Sequence, residues 1–100
     1  MLAPFLADDV LCEQLPAIAQ AAFDFPAPQF WLDSTRRLGV LELFHGPTAA
    51  FKDFGARFLA AAFTRLRRAA DRPLHVLVAT SGDTGGAVAA AFHRLSLIHI

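Results

Sequence analysis

Two stretches of this chain carry residue types that do chemistry. The first is Glu42-Leu43-Phe44-His45-Gly46-Pro47-Thr48-Ala49-Ala50-Phe51-Lys52-Asp53-Phe54. Eight of the nine basic residues are arginine, so Lys52 is the sole lysine. A guanidinium stays protonated and is no nucleophile. A lysine amine, once neutral, can attack a carbonyl and form a Schiff base. In water a lysine is an ammonium at neutral pH. An apolar pocket favours the neutral amine, and the positive end of a helix acts in the same direction. Phe51 and Phe54 offer apolar surface beside Lys52, whereas Asp53, if close to the amine, favours the ammonium. The plain alternative is a surface lysine that opens an amphipathic helix.

The second stretch is Thr80-Ser81-Gly82-Asp83-Thr84-Gly85-Gly86. Two hydroxyls and a run of backbone N–H groups at a helix start suit an anion, either carboxylate or phosphate. The stretch is neither a P-loop nor a Gly-x-Gly-x-x-Gly dinucleotide turn. Its plain alternative is a helix cap by Ser81 or Asp83, with glycines for a tight turn. His45, next to Gly46-Pro47, is either a pocket residue or a structural hydrogen-bonder. His75, His93 and His99 lack metal-ligand spacing, and no metal site is expected. No Ser-His-Asp set or carboxylate pair stands out. Cys12, the single cysteine, cannot form an internal disulfide and reads as a packing residue in a reducing compartment.

Elements must position these groups. Asp8 to Phe23 reads as helical, capped by Asp8 or Asp9, with Pro16 forcing a kink or two short helices. Asp24 to Pro28 is an extended, proline-rich connector. Phe30-Trp31-Leu32 is a short strand, Asp33 to Gly39 a polar turn, and Val40 to Phe44 a second strand. A helix follows from Phe51 to Ala70, with Phe54, Phe58, Ala62 and Leu66 on one stripe, and Asp71-Arg72-Pro73 stops it. Leu74 to Ala79 reads as a buried parallel strand, and Ala87 to Phe92 as an apolar helix. Strand, loop, helix, strand, loop, helix implies an α/β unit of parallel strands with packed helices. In such units ligands sit at the carboxyl ends of the strands. If those strands are neighbours, Lys52 and the 80–86 loop face one crevice.

Composition narrows the partners. The net charge is zero, which argues against nucleic acid or an anionic membrane surface. Arg65, Arg67 and Arg68 read as a solvated face late in a helix. The first residues lack a signal-peptide pattern, and no apolar run reaches the roughly 20 residues of a membrane helix, so a cytoplasmic location is expected. With 55% hydrophobic residues and ten Phe, the chain carries more apolar surface than a small domain normally buries. Part of that surface is expected to meet further protein.

Leu41 to Phe58, followed by Ala79-Thr80-Ser81-Gly82-Asp83-Thr84-Gly85, resembles the threonine synthases, and Ala22 to Pro28 matches the segment before it. The resemblance covers residues 10–95. It implies a partial tryptophan-synthase-β-like fold, the type II class of pyridoxal-phosphate enzymes. Residues 1–29 would be an N-terminal helical segment with its connector, 30–95 the start of the cofactor-binding α/β domain, and 96–100 an atypical tail that reads as an artefact. It implies conversion of O-phospho-L-homoserine and water to L-threonine and phosphate. Lys52 would hold pyridoxal 5'-phosphate as a Schiff base and then move protons on the substrate carbons. Thr80, Ser81 and Thr84 would bind the substrate carboxylate. Asp83 would lie by the cofactor's ring oxygen, where related enzymes have Asn. The family's phosphate-binding glycine loop and its partner for the pyridine nitrogen lie far downstream and are not present. The chain is therefore expected to be a fragment, inactive alone. The remaining alternatives are another pyridoxal-phosphate dehydratase or β-replacement enzyme, and a non-catalytic anion-binding α/β module.

Overall fold

The computed structural model describes residues 3–67, 72, 74–93, 95 and 98–99. The helix read from Asp8 is shorter than its pattern. Asp9 accepts a hydrogen bond from the Leu11 N–H at 2.8 Å, a local turn rather than a helix cap. A single 3₁₀ turn then leads into α1, Leu15–Ala22. Pro16 lies in the first turn of α1, where no N–H is needed, so it starts the helix instead of kinking it.

The two short strands form a hairpin. β1 (Gln29–Asp33) pairs antiparallel with β2 (Leu38–Leu41), with Phe30 opposite Val40 and Trp31 opposite Gly39. The turn between them is built by Asp33, whose carboxylate accepts from the N–H groups of Thr35 and Arg36. The second strand is thus the return arm of a hairpin, not a member of a parallel pair with residues 74–79. It also ends at Leu41 and not at Phe44.

α2 runs Lys52–Leu66, and Arg67 is already extended. The expected continuation to Ala70, and Asp71 and Pro73 of the stop, lie outside the described residues. Its inner face is not the single stripe that the pattern suggests. Of the expected stripe Ala62 is buried and Leu66 exposed, while Asp53, Ala56 and Ala60, off that stripe, are also buried. The difference arises because α2 packs on two sides. Phe54 and Phe58 turn toward the end of α1, where Phe23 and Phe25 meet them at centroid distances of 4.9–6.1 Å. Ala60 and Phe63 turn toward α3, Asp83–Phe92, whose Phe92 is 1% exposed.

Arg57 ties α1 to α2. Its guanidinium donates to the carbonyls of Ala22 (2.8 Å) and Ala21 (3.2 Å) and pairs with Asp24 at 2.7 Å. These are α1's last carbonyls, which have no partner within their own helix. Among the described residues between α2 and α3, only Leu74–His75 forms a strand, β3, which pairs in parallel with β4, Ile98–His99. Residues 96, 97 and 100 of the tail lie outside the described residues. Helix α3 begins at Asp83, four residues before the expected Ala87.

The Cα radius of gyration is 16.1 Å, against about 13 Å for a compact domain of this length. Large apolar side chains accordingly stay in contact with solvent, Trp31 at 59% and Leu77 at 93% among them. Among the described residues no helix is long and apolar enough to cross a membrane.

Candidate active site

Lys52 is the first residue of α2, at the junction that the sequence marks with Gly46-Pro47. The junction is built around Asp53. Its carboxylate accepts from the Thr48 N–H (2.8 Å) and from the Thr48 hydroxyl (2.7 Å), and the residue is 1% exposed. Gly46 packs directly on it, and a Cβ at position 46 would come within 2.5 Å of Asp53 Oδ2. Ala49 adopts φ 57°, a left-handed conformation uncommon for a residue with a Cβ. The loop thus wraps tightly onto the first turn of α2.

Asp53 does not oppose Lys52 as the sequence allowed. Among the described residues Lys52 makes no ion pair. Its Nζ instead lies 3.9 Å from the centroid of the Phe51 ring, and the side chain is half-buried. Phe51 therefore offers the amine its negative ring face and not merely apolar bulk.

The second loop is organised by Thr80. Its hydroxyl oxygen accepts from the N–H groups of Gly82 (3.1 Å) and Gly85 (3.2 Å). A Cβ at Gly85 would collide with the Thr80 methyl group, so the bare glycine is what lets the loop close. Thr80 does the capping expected of Ser81 or Asp83, since neither of those side chains caps α3. Ser81, Asp83 and Thr84 are exposed, and among the described residues the N–H groups of Asp83 and Thr84 have no protein acceptor.

The structure brings the two loops together. Lys52 and Thr80 to Thr84 line one largely polar cavity of about 290 Å³. Lys52 and Thr84 also border an adjoining apolar cavity of about 420 Å³, lined by Phe51, Phe54, Leu59, Ala87 and Val88. The route differs from the one expected. Packing of α2 against α3 sets the loops side by side, not pairing between the strands before them. The cavity is thus bounded by an amine, three hydroxyls, the Asp83 carboxylate and the starts of two helices, whose dipoles both attract negative charge.

His45 is outside this arrangement. It bonds Glu42 Oε2 at 2.5 Å and stacks on Phe44, the structural role of the two expected. Thr48 is the residue that sequence reasoning passed over. The signal was there: a hydroxyl and an Asp flanking a helix start, beside a Gly-Pro turn.

No family model matches the chain. The threonine synthase of Escherichia coli (strain K12) is 49% identical over all 100 residues, which span 22% of that protein. That of Haemophilus influenzae is 50% identical over 86% of this chain and 19% of its own length. Among solved structures, PLP-bound threonine synthase from Brucella melitensis superposes with a TM-score of 0.77 at 32% identity, covering 95% of this chain and 21% of that one. Threonine synthase from yeast gives 0.71 at 26% identity, covering 91% of this chain and 21% of its own. The fold is accordingly part of the tryptophan-synthase-β-like, type II pyridoxal-phosphate fold. The chain is homologous to the threonine synthases along its whole length and spans about a fifth of the relatives it matches.

Proposed function

We propose that this segment supplies the amine-bearing wall of an active site using pyridoxal 5'-phosphate. The whole enzyme would convert O-phospho-L-homoserine and water to L-threonine and phosphate, as a cytoplasmic carbon–oxygen lyase of threonine biosynthesis. The observation that carries this reading is the shared cavity of Lys52 and the 80–84 loop, in a chain 49% identical to the Escherichia coli threonine synthase. Residues 30–95 would be the start of the cofactor-binding domain, so the segment alone is inactive.

The donor set suits this cofactor. The amine is held by no carboxylate among the described residues, and it sits where a polar cavity adjoins an apolar one that can take a ring. Bound there, the cofactor supplies an electron sink for negative charge on the substrate carbons. Lys52 would be its covalent attachment point, and the lysine amine would take and return protons at those carbons. Ser81 and Thr84 donate their hydroxyls to the substrate carboxylate, together with the N–H groups that begin α3. Thr80 lines the same cavity while holding the loop in shape. Asp83, on the same cavity wall, would face the cofactor's ring oxygen.

The test is a chimera in which residues 1–100 replace the matching segment of the Escherichia coli relative. Borohydride reduction followed by peptide mapping should find the cofactor's mass on the Lys52 peptide, and Lys52→Ala should abolish it. Phosphate release from O-phospho-L-homoserine separates this reaction from that of a dehydratase acting on a serine-like amino acid. Cofactor fixed to another residue while Lys52→Ala stays active would sink the assignment.

A further inference from the structure

We infer that Asp53, acting through Thr48, is a positioning residue that sets the direction of the Lys52 side chain. The inference rests on the attachment role proposed for Lys52. Among the described residues Asp53 is the one buried charged side chain. Neither arginine nor lysine pairs with it there. A buried carboxylate without a cation is costly to desolvate. Two hydrogen bonds from Thr48 and the positive end of α2 offset that cost. An ordinary cap would do as much from a solvated Ser or Asp outside the helix, with no charge buried.

What the burial adds is rotational definition. Both carboxylate oxygens are taken by one residue, Oδ2 by the Thr48 N–H and Oδ1 by its hydroxyl. Gly46 closes over the same carboxylate with no room for a side chain, and Ala49 is held at φ 57° between them. The first turn of α2 therefore cannot roll without breaking this unit. Lys52 precedes Asp53 by one residue, about 100° around the helix. With Asp53 pinned under the loop, the lysine occupies the sector that borders the 80–84 cavity.

The test uses the same chimera, with Thr48→Val, Thr48→Ser and Asp53→Asn. Thr48→Val and Asp53→Asn should lower kcat at least tenfold for O-phospho-L-homoserine, with KM within threefold of the parent. They should also slow the rate at which added pyridoxal phosphate becomes borohydride-fixed to Lys52 by at least fivefold. Thr48→Ser should keep both within twofold. Parental fixation rates in Thr48→Val and Asp53→Asn overturn the inference. So does a fall in activity that merely tracks the loss of folded protein by circular dichroism. If Thr48→Val does not fold, Asp53→Asn, nearly isosteric with the parent, decides alone. Cofactor found on Lys52→Ala would defeat the attachment reading instead, a result distinct from either of these.

Discussion

Lys52 Nζ rests 3.9 Å from the ring centroid of its own neighbour, Phe51. The contact holds the resting amine by about 0.5–1 kcal/mol. Phe51→Leu keeps the apolar bulk and removes the ring. Attachment of pyridoxal phosphate to Lys52 in the chimera should then be faster by about two- to fivefold, followed as borohydride-fixed mass over time. An unchanged rate would mean that the ring does not restrain the amine.

Arg57 closes the end of α1 with three separate contacts. Arg57→Ala should destabilise the chain by about 1–3 kcal/mol, because it strands the part-buried Ala22 carbonyl. Arg57→Lys should recover little, since an ammonium cannot reproduce the guanidinium fork. Asp24→Ala should cost less than about 1 kcal/mol, because that carboxylate is mostly solvated. Urea unfolding followed by circular dichroism ranks the three.

Thr80→Val leaves the Gly82 and Gly85 N–H groups without their hydroxyl acceptor. The loss is about 1 kcal/mol of loop order, expected as a KM for O-phospho-L-homoserine raised roughly five- to tenfold. Thr80→Ser should behave as the parent. Steady-state kinetics of the chimera measure both.

Gly46 and Gly55 should respond in opposite directions to the same substitution. Gly46→Ala drives a methyl into the Asp53 carboxylate and should destabilise by about 1–3 kcal/mol. Gly55 lies inside α2 with nothing within 4 Å of its missing Cβ. Gly55→Ala should stabilise by about 0.5–1 kcal/mol. Unfolding midpoints decide.

The chemistry was more legible in the sequence than the architecture around it. Lys52 and the 80–84 loop announce themselves by residue type and by the glycines beside them, and both signals are local. The pairing of Val40 with Phe30 is not local in that sense. Val40 reads equally well as a parallel strand or as the return arm of a hairpin, and the Asp33 turn settles which. Leu74 to Ala79 has the composition of a buried strand, yet a strand exists only where a neighbour accepts it. Ile98 and His99 reach Leu74 and His75 alone. The stripe on α2 misled for a related reason. A helix gripped on two sides has two inner faces, and the periodicity averages them. From its position in the sequence Asp53 reads as a charge beside an amine. That it turns under the loop depends on Thr48 and Gly46, and so on tertiary contact.

That Lys52 is the lone lysine has a practical side. Within these 100 residues a reagent selective for side-chain amines has one place to go. On the isolated segment, dyes, photo-cross-linkers and isotope-labelled methyl groups placed on side-chain amines therefore report on Lys52 alone, against an arginine background that stays silent.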